Sequence, residues 1–349
     1  MPAATLSLRP ATPADIPALS AVMDAAIGEL QRGFLTPEQI TASRLVMGLD
    51  RQLIEDGTYF VVVDGAGEVA GCGGWSRRRT LHGHDHSPGR DDAPLDPAHD
   101  GARVRAMYTA PAFARRGVGR MILAACERAA AGEGFRRMEL SGTMAGQPLY
   151  EARGYVVTER SQETAGGVTF PLVRMGKSLA GLVTVSPATE SDRALIDGLM
   201  QYYIYDFSEM EPAGSADFEV GADGRFAPYP YLSDYWRDAD RHALMIRVGG
   251  APAGFALVNA HSHRGGKVER NMGEFFVLRK HRGHGAAAQA VAQVLALLPG
   301  QWEVAVARRN TRALTFWPRA IEAACVSGLR VAEGDGEHWT GPIWSFRAS

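Results

Sequence analysis

The sequence predicts a mixed α+β protein made of two related domains in tandem. Three observations predict it. A small-residue turn between a strand-like run and an alanine-rich helix occurs twice, as Ala114-Arg115-Arg116-Gly117-Val118-Gly119 and as Arg282-Gly283-His284-Gly285-Ala286-Ala287. Each half opens on a related segment, Pro10-Ala11-Thr12-Pro13-Ala14-Asp15 and Pro187-Ala188-Thr189-Glu190-Ser191-Asp192. The strand and helix patterns that follow run in the same order in both halves, as a duplication requires. The 349 residues suit two domains of about 150 residues each.

In the first half, residues 6–9 read as a strand. Thr12, three residues before Asp15, marks a helix start, and apolar Leu19, Val22 and Met23 carry helical periodicity over 13–30. A second helix is expected over 37–47. Strands over 59–64 and 69–77 flank Asp64-Gly65-Ala66-Gly67, a hairpin turn signal. A polar loop over 80–100 precedes a strand over 102–109, the first glycine turn and a helix over 120–131. A strand over 137–141, a short helix over 148–152 and strands over 155–159 and 168–174 complete the half. Residues 178–182 read as the linker between domains 1–177 and 183–349.

The second half predicts a strand over 183–186, a helix over 192–205, an acidic stretch and a helix near 231–238. Strands over 242–248 and 254–260 flank the Gly249-Gly250 turn. A strand over 273–278, the second glycine turn, a helix over 285–298, a strand over 302–307, a helix over 311–324 and a strand over 343–347 follow.

Composition narrows the class. Hydrophobic content of 46% is that of a globular chain with a sizeable core. The net charge of −2 offers no electrostatic footprint for nucleic acid. Cys72, Cys126 and Cys325 are few, odd in number and far apart, which suits a reducing cytoplasm rather than a disulfide framework. No run is long and apolar enough to suggest a membrane span. The expectation is a cytoplasmic protein with neither a nucleic-acid nor a membrane partner.

The two turns carry the first chemical clue. A small-residue turn at a helix start lets several backbone N–H groups converge on one anion, and the helix dipole adds partial positive charge there. Neither turn has the Gly-x-Gly-x-x-Gly spacing of dinucleotide folds. Two such turns suggest two domains, each built for a phosphorylated cofactor.

The element order, with this turn after the fourth strand, resembles the GNAT acetyltransferase superfamily in a tandem two-domain form. The shared pattern is Gln/Arg-x-x-Gly-x-Gly/Ala. Arg282, Gly285 and Ala287 match it, whereas Ala114 replaces the first residue in the other copy and leaves Arg115 and Arg116 to supply charge. The resemblance implies a mostly antiparallel central sheet in each domain, with a splayed fourth and fifth strand pair flanked by helices. It implies acetyl-CoA as acyl donor and no metal. By the same resemblance, Met107, Tyr108, Thr109, Phe276 and Val277 line the cofactor's arm. Arg115, Arg116, Gly117, Val118, Gly119 and Arg120, and their counterparts Arg282, Gly283, His284, Gly285, Ala286 and Ala287, hold its phosphates. Asn310 joins them through the run Asn310-Thr311-Arg312-Ala313-Leu314-Thr315-Phe316-Trp317, which is similar to the family's Asn-x-x-Ala-x-x-Phe-Tyr.

Leu149-Tyr150-Glu151-Ala152-Arg153-Gly154-Tyr155 resembles the family's Tyr-x-x-x-Gly-Phe/Tyr ending, which assigns Tyr150 as donor to the departing thiolate. Trp317 takes that place in the second half, and an indole is no proton donor of this kind. The family's catalytic glutamate position falls on Glu274; a glutamate paired with arginine is the plainer reading. His99 and Asp100 are the bases on offer in the first half. The chemistry is expected in the first domain, because it keeps Tyr150. A second-domain site using Glu274 and the Arg282 motif is the alternative, and a non-catalytic acyl-CoA-binding module is another.

His82-Gly83-His84-Asp85-His86 has metal-binding residue types without the spacing of a closed site, and is read as a polar substrate-side loop. Tyr202, Tyr203, Tyr205, Tyr229, Tyr231, Tyr235 and Trp236, with Glu209, Glu211, Asp217 and Glu219, are either a pocket for a cationic amine or a packing surface beside a solvated acidic loop. Cys126 is expected to pack. The acceptor is a small-molecule or peptide amine. A monomer with pseudo-dimeric domains and a homodimer both fit.

Overall fold

The computed structural model describes residues 5–81, 91–212 and 218–349. The chain divides into two compact units, Met1–Leu182 and Val183–Ser349. The first runs β1 (Ser7–Pro10), α1 (Ile16–Leu30), α2 (Pro37–Ser43), α3 (Gln52–Glu55), β2 (Tyr59–Val63), β3 (Val69–Ser76), β4 (Ala102–Thr109), α4 (Val118–Gly132), β5 (Arg137–Thr143), α5 (Gln147–Ala152), β6 (Val156–Ala165) and β7 (Val168–Ser178). The second runs β8 (Val183–Pro187), α6 (Arg193–Ser208), β9 (His242–Val248), β10 (Ala251–His261), β11 (Lys267–Val277), α7 (Ala286–Leu297), β12 (Gly300–Ala305), α8 (Thr311–Ala323), β13 (Ser327–Glu333) and β14 (Pro342–Ala348).

Each unit is built on a seven-stranded sheet, ordered β1-β2-β3-β4-β5-β7-β6 in the first and β8-β9-β10-β11-β12-β14-β13 in the second. The two orders are the same. All neighbours are antiparallel except β4 with β5 and β11 with β12. Those parallel pairs are short: Ala102 and Arg103 face Met138 and Glu139, and Arg270 and Asn271 face Trp302 and Glu303. Beyond them the strands part. The rest of β4 stays paired only to β3, and the rest of β11 only to β10. The sheet is thus splayed at one end, with an open strand edge that supplies unpaired backbone groups.

Helices cover both faces of each sheet. In the first unit α4 buries Val118, Ile122, Leu123, Cys126 and Ala130 with Val104, Met138 and Val173. On the opposite face Leu19, Val22 and Met23 of α1 meet Tyr59, Val61 and Cys72. In the second unit α7 contributes Val291, Val294 and Leu295 to one face, and α6 contributes Ile196, Leu199 and Met200 to the other. The helix entries repeat as well. Asp15 Oδ2 accepts from the Thr12 N–H at 2.7 Å and Asp192 Oδ2 accepts from the Thr189 N–H at 2.9 Å.

Several boundaries differ from the sequence expectation. The helix expected over 37–47 ends at Ser43, and the one near 231–238 is a single 3-10 stretch, Leu232–Trp236. Strand β13 was not anticipated. Its residues, Ser-Gly-Leu-Arg-Val-Ala-Glu, are almost all exposed on the sheet edge, and its two large apolar side chains, Leu329 and Val331, reach no core. Strand β11 starts at Lys267, six residues before the expected 273, through a polar stretch held only by its neighbours. Leu179, just past β7, is buried in the first unit's core.

Candidate active site

Both glycine turns have one backbone design. In the first, Arg115 and Gly117 are left-handed, with φ of 63° and 87°. In the second, Gly283 and Gly285 are left-handed, with φ of 81° and 79°. Two left-handed residues flanking one other residue curl the chain so that successive N–H groups point inward. Among the described residues, the N–H groups of Arg115, Gly117, Val118, Gly119 and Arg120 have no protein acceptor, nor do those of Gly283, His284, Gly285, Ala286 and Ala287. Each set lies at the start of a full-length helix, α4 or α7. The backbone therefore fits a phosphate in both units.

The side chains distinguish the two. In the first unit Arg115, Arg116 and Arg120 make no ion pair among the described residues; Arg116 lies 5.4 Å over the Phe113 ring. In the second, Arg282 is turned inward. Its Nε donates to the Val277 carbonyl at 2.6 Å, and Nη2 donates to Asp206. Arg279 pairs with Asp206 at 2.8 Å and with Glu209. The copy with the fuller motif thus has its arginines neutralised, and the copy lacking the first arginine keeps free positive charge.

Gly119 has a packing role that its motif position does not reveal. A Cβ there would lie 2.7 Å from Leu149 Cδ2. The missing side chain lets the start of α4 approach α5, which carries Tyr150. The Tyr150 ring lies against Gly142 of β5, where a Cβ would come within 3.0 Å of it, on the part of β5 that has left β4. Its hydroxyl hydrogen-bonds no described residue. Burial raises the phenol above its ordinary value, so Tyr150 remains protonated across physiological pH. Met107 faces the α4 side of the sheet and Tyr108 the α1 side. Thr109 ends β4 opposite Gly71.

The second unit lacks such a donor. Asn310 caps α8, its Oδ1 accepting from the Ala313 N–H at 3.0 Å. Thr143 Oγ1 accepts from the Gly146 N–H at 3.2 Å in the turn before α5, whose own N-cap, Gly146, offers no side-chain acceptor. α8 is the longer helix, 13 residues against 6. Cys325, left-handed at φ 53°, ends it as Gly154, at 83°, ends α5. Trp317 is buried, 5.3 Å from Phe275, and Ile321 is the residue four before the cap. Neither carries an acidic proton.

Glu274 occupies the bulge of β11 and faces α6. Tyr203 donates to Oε2, and Tyr229 donates to Oε1 at 2.9 Å. Tyr235 accepts from Asn259 Nδ2 at 3.0 Å, and Asn259 Oδ1 accepts from Asn271. Three of the seven aromatic residues, Tyr203, Tyr229 and Tyr235, are thus held in hydrogen bonds here, while Tyr202, Tyr205 and Tyr231 are exposed. Among the described residues no arginine pairs with Glu274, contrary to its plainer sequence reading. Enclosure raises its carboxyl above the ordinary 4.5, against the two phenol hydrogen bonds. A carboxyl raised in the fold contributes stability that is complete below its unfolded value and lost as pH rises through its folded value. In Glu274→Gln, the decline in melting temperature above about pH 4.5 should therefore flatten; an unchanged slope in thermal melts would refute this.

The remaining candidates are elsewhere. Phe276 joins the α6 face and Val277 the α7 face. His99 is exposed in a turn with Asp96, its Nδ1 2.7 Å from Asp96 Oδ2, and Asp100 closes the same turn. Cys126 is buried in the core. Glu209 and Glu211 are not free pocket charges, because they meet Arg279 and Arg309. His82, His84, Asp85, His86 and Asp217 lie outside the described residues. Among the described residues, no group of three or more metal-ligating side chains gathers, and no helix is long and apolar enough to cross a membrane.

Two mixed sheets of one strand order, each splayed at its parallel pair above a turn of acceptor-free N–H groups, define the class: a tandem α+β fold with one such turn per unit. The chain belongs to the acetyltransferase (GNAT) family, whose model matches residues 24–155 and 207–320, and it is an acetyltransferase. Among solved structures it is similar to a GCN5-related N-acetyltransferase from Rhodopseudomonas palustris, at 21% identity and TM-score 0.38, over 51% of this chain and 99% of that one. It is also similar to the PaiA N-acetyltransferase of Thermoplasma acidophilum solved with coenzyme A, at 13% identity and TM-score 0.35, over 50% and 99%. A third is the phosphinothricin acetyltransferase of Sinorhizobium meliloti solved with AcCoA, at 19% identity and TM-score 0.35, over 50% and 88%. No curated protein shows significant similarity to the chain.

Proposed function

We propose that the protein is an acetyl-CoA-dependent N-acetyltransferase that acetylates a primary amine, of a small molecule or a peptide, by direct transfer in a ternary complex in the first unit. The observation that carries this reading is the first turn, where acceptor-free N–H groups and three unpaired arginines share one helix start. Acetyl-CoA supplies the activated acyl group. Gly117, Val118 and Gly119 offer N–H groups to its phosphates, and Arg115, Arg116 and Arg120 add charge. The open edge of β4 beyond Arg103 offers backbone groups to the cofactor's arm and N–H groups to a developing oxyanion. Tyr150 holds a proton at Oη for the thiolate.

Tyr150→Phe removes that proton and little else. Turnover should fall about a hundredfold, while acetyl-CoA affinity measured by calorimetry stays within about twofold of the parent. Unchanged turnover would overturn the role of Tyr150.

One observation favours a second reading, with chemistry in the second unit. Glu274 is a carboxylate with a raised pKa on the splayed strand, a suitable general base. That reading requires Glu274→Gln to abolish acetylation while Tyr150→Phe spares it.

A further inference from the structure

The two turns share a backbone but not a charge, and the difference comes from one helix end. We propose that Asp206, in the last turn of α6, and Glu209, immediately after it, close the second turn to diphosphate, so that the chain loads one acyl-CoA, on the first unit. The inference rests on the reading that the turns hold the CoA phosphates.

Asp206 takes both arginines that flank the second turn. Its Oδ1 accepts from Arg279 Nε at 2.9 Å, and its Oδ2 from Arg282 Nη2. Glu209 takes the other arm of Arg279 and lies 3.7 Å from Arg312. Arg282 is anchored further by the Val277 carbonyl. The guanidinium groups that would meet a diphosphate are therefore bound to carboxylates of their own unit. An incoming diphosphate would have to displace these carboxylates or approach them closely, against like-charge repulsion.

The first unit shows that this is not inherent in the fold. Counted from the matching aspartates Asp15 and Asp192, the position of Glu209 falls on Arg32, and that of Asp206 on Glu29. Arg32 Nε donates to the Gly28 carbonyl at 3.0 Å. The positions of Arg279 and Arg282 hold Pro111 and Ala114. Carboxylates and arginines occur together only where the turn is closed.

The test is calorimetric titration of the full chain with CoA. The parent should bind one CoA per chain, and Gly117→Glu should bind it at least about a hundredfold more weakly. Adding Asp206→Asn and Glu209→Gln to Gly117→Glu should restore one site, tightening CoA binding about a hundredfold over the Gly117→Glu parent. Glu209→Gln alone, at the more exposed carboxylate, should move affinity in the same direction by less, and covers the case in which the triple variant does not fold. Two CoA per parent chain, or no gain from either variant, would overturn the closure and leave the first-unit function standing. No CoA bound by the parent would overturn both.

Discussion

Gly117→Glu should abolish acetyl-CoA binding and acetylation together. Two effects act in the same direction. Gly117 has φ of 87°, a conformation that costs an L-residue roughly 1–2 kcal/mol. The substitution also puts a carboxylate where the phosphates belong, because a Cβ at Gly117 would lie 3.5 Å from Arg120 Nη2. That carboxylate would neutralise an arginine much as Asp206 does in the second unit. A loss of at least about a hundredfold in kcat/KM corresponds to about 2.7 kcal/mol. Gly285→Glu is the matched control, since φ there is 79° and the strain is similar. It should leave turnover nearly unchanged. If the two variants exchange phenotypes, the chemistry belongs to the second unit.

Asp50→Ala should be the most destabilising of the substitutions considered. Arg105 and Asp50 are 3% and 1% exposed, with Nη2 and Oδ2 2.8 Å apart. Arg105 Nη1 also donates to the Thr80 carbonyl at 2.8 Å. Arg105 lies in β4, the strand whose outer half forms the open edge. Removing the carboxylate breaks this buried ion pair from one side, which costs about 3–5 kcal/mol. For a unit of this size that lowers the melting temperature by about 10 °C. Replacing both residues together by apolar side chains of similar volume should recover most of the loss, because no buried charge then remains. Scanning calorimetry would decide, and a fall below about 1 kcal/mol in Asp50→Ala would contradict the assignment.

Much of the fold was legible because its signals are local. A turn needing left-handed residues writes itself as glycine, and a helix start as Thr-x-x-Asp. Even Arg115, the non-glycine member of the first turn, was identified through its neighbours Gly117 and Gly119. Strand β13 escaped because an exposed edge strand needs no apolar face.

Other features depend on residues far apart in the chain. Asp206 and Arg282 are separated by 76 residues, and Tyr203 and Glu274 by 71. No spacing rule connects them. Read along the chain, Glu209 and Glu211 belonged either to a pocket for a cationic amine or to a solvated acidic loop, and the Arg282 copy was the better phosphate motif; in the structure the acids meet arginines, and Arg282 faces inward.

The sequence by itself determined the duplication, the two turns, Tyr150 in one half and its replacement by Trp317 in the other. These follow from residue type and short-range backbone preference. Only the tertiary structure decided which turn keeps free charge, that Glu274 is held by two tyrosines, and that Gly119 brings α4 against the helix of Tyr150. Those outcomes are set by which side chains the two splayed sheets bring within a few ångströms. At that range Asp206 holds both arginines that flank the second turn.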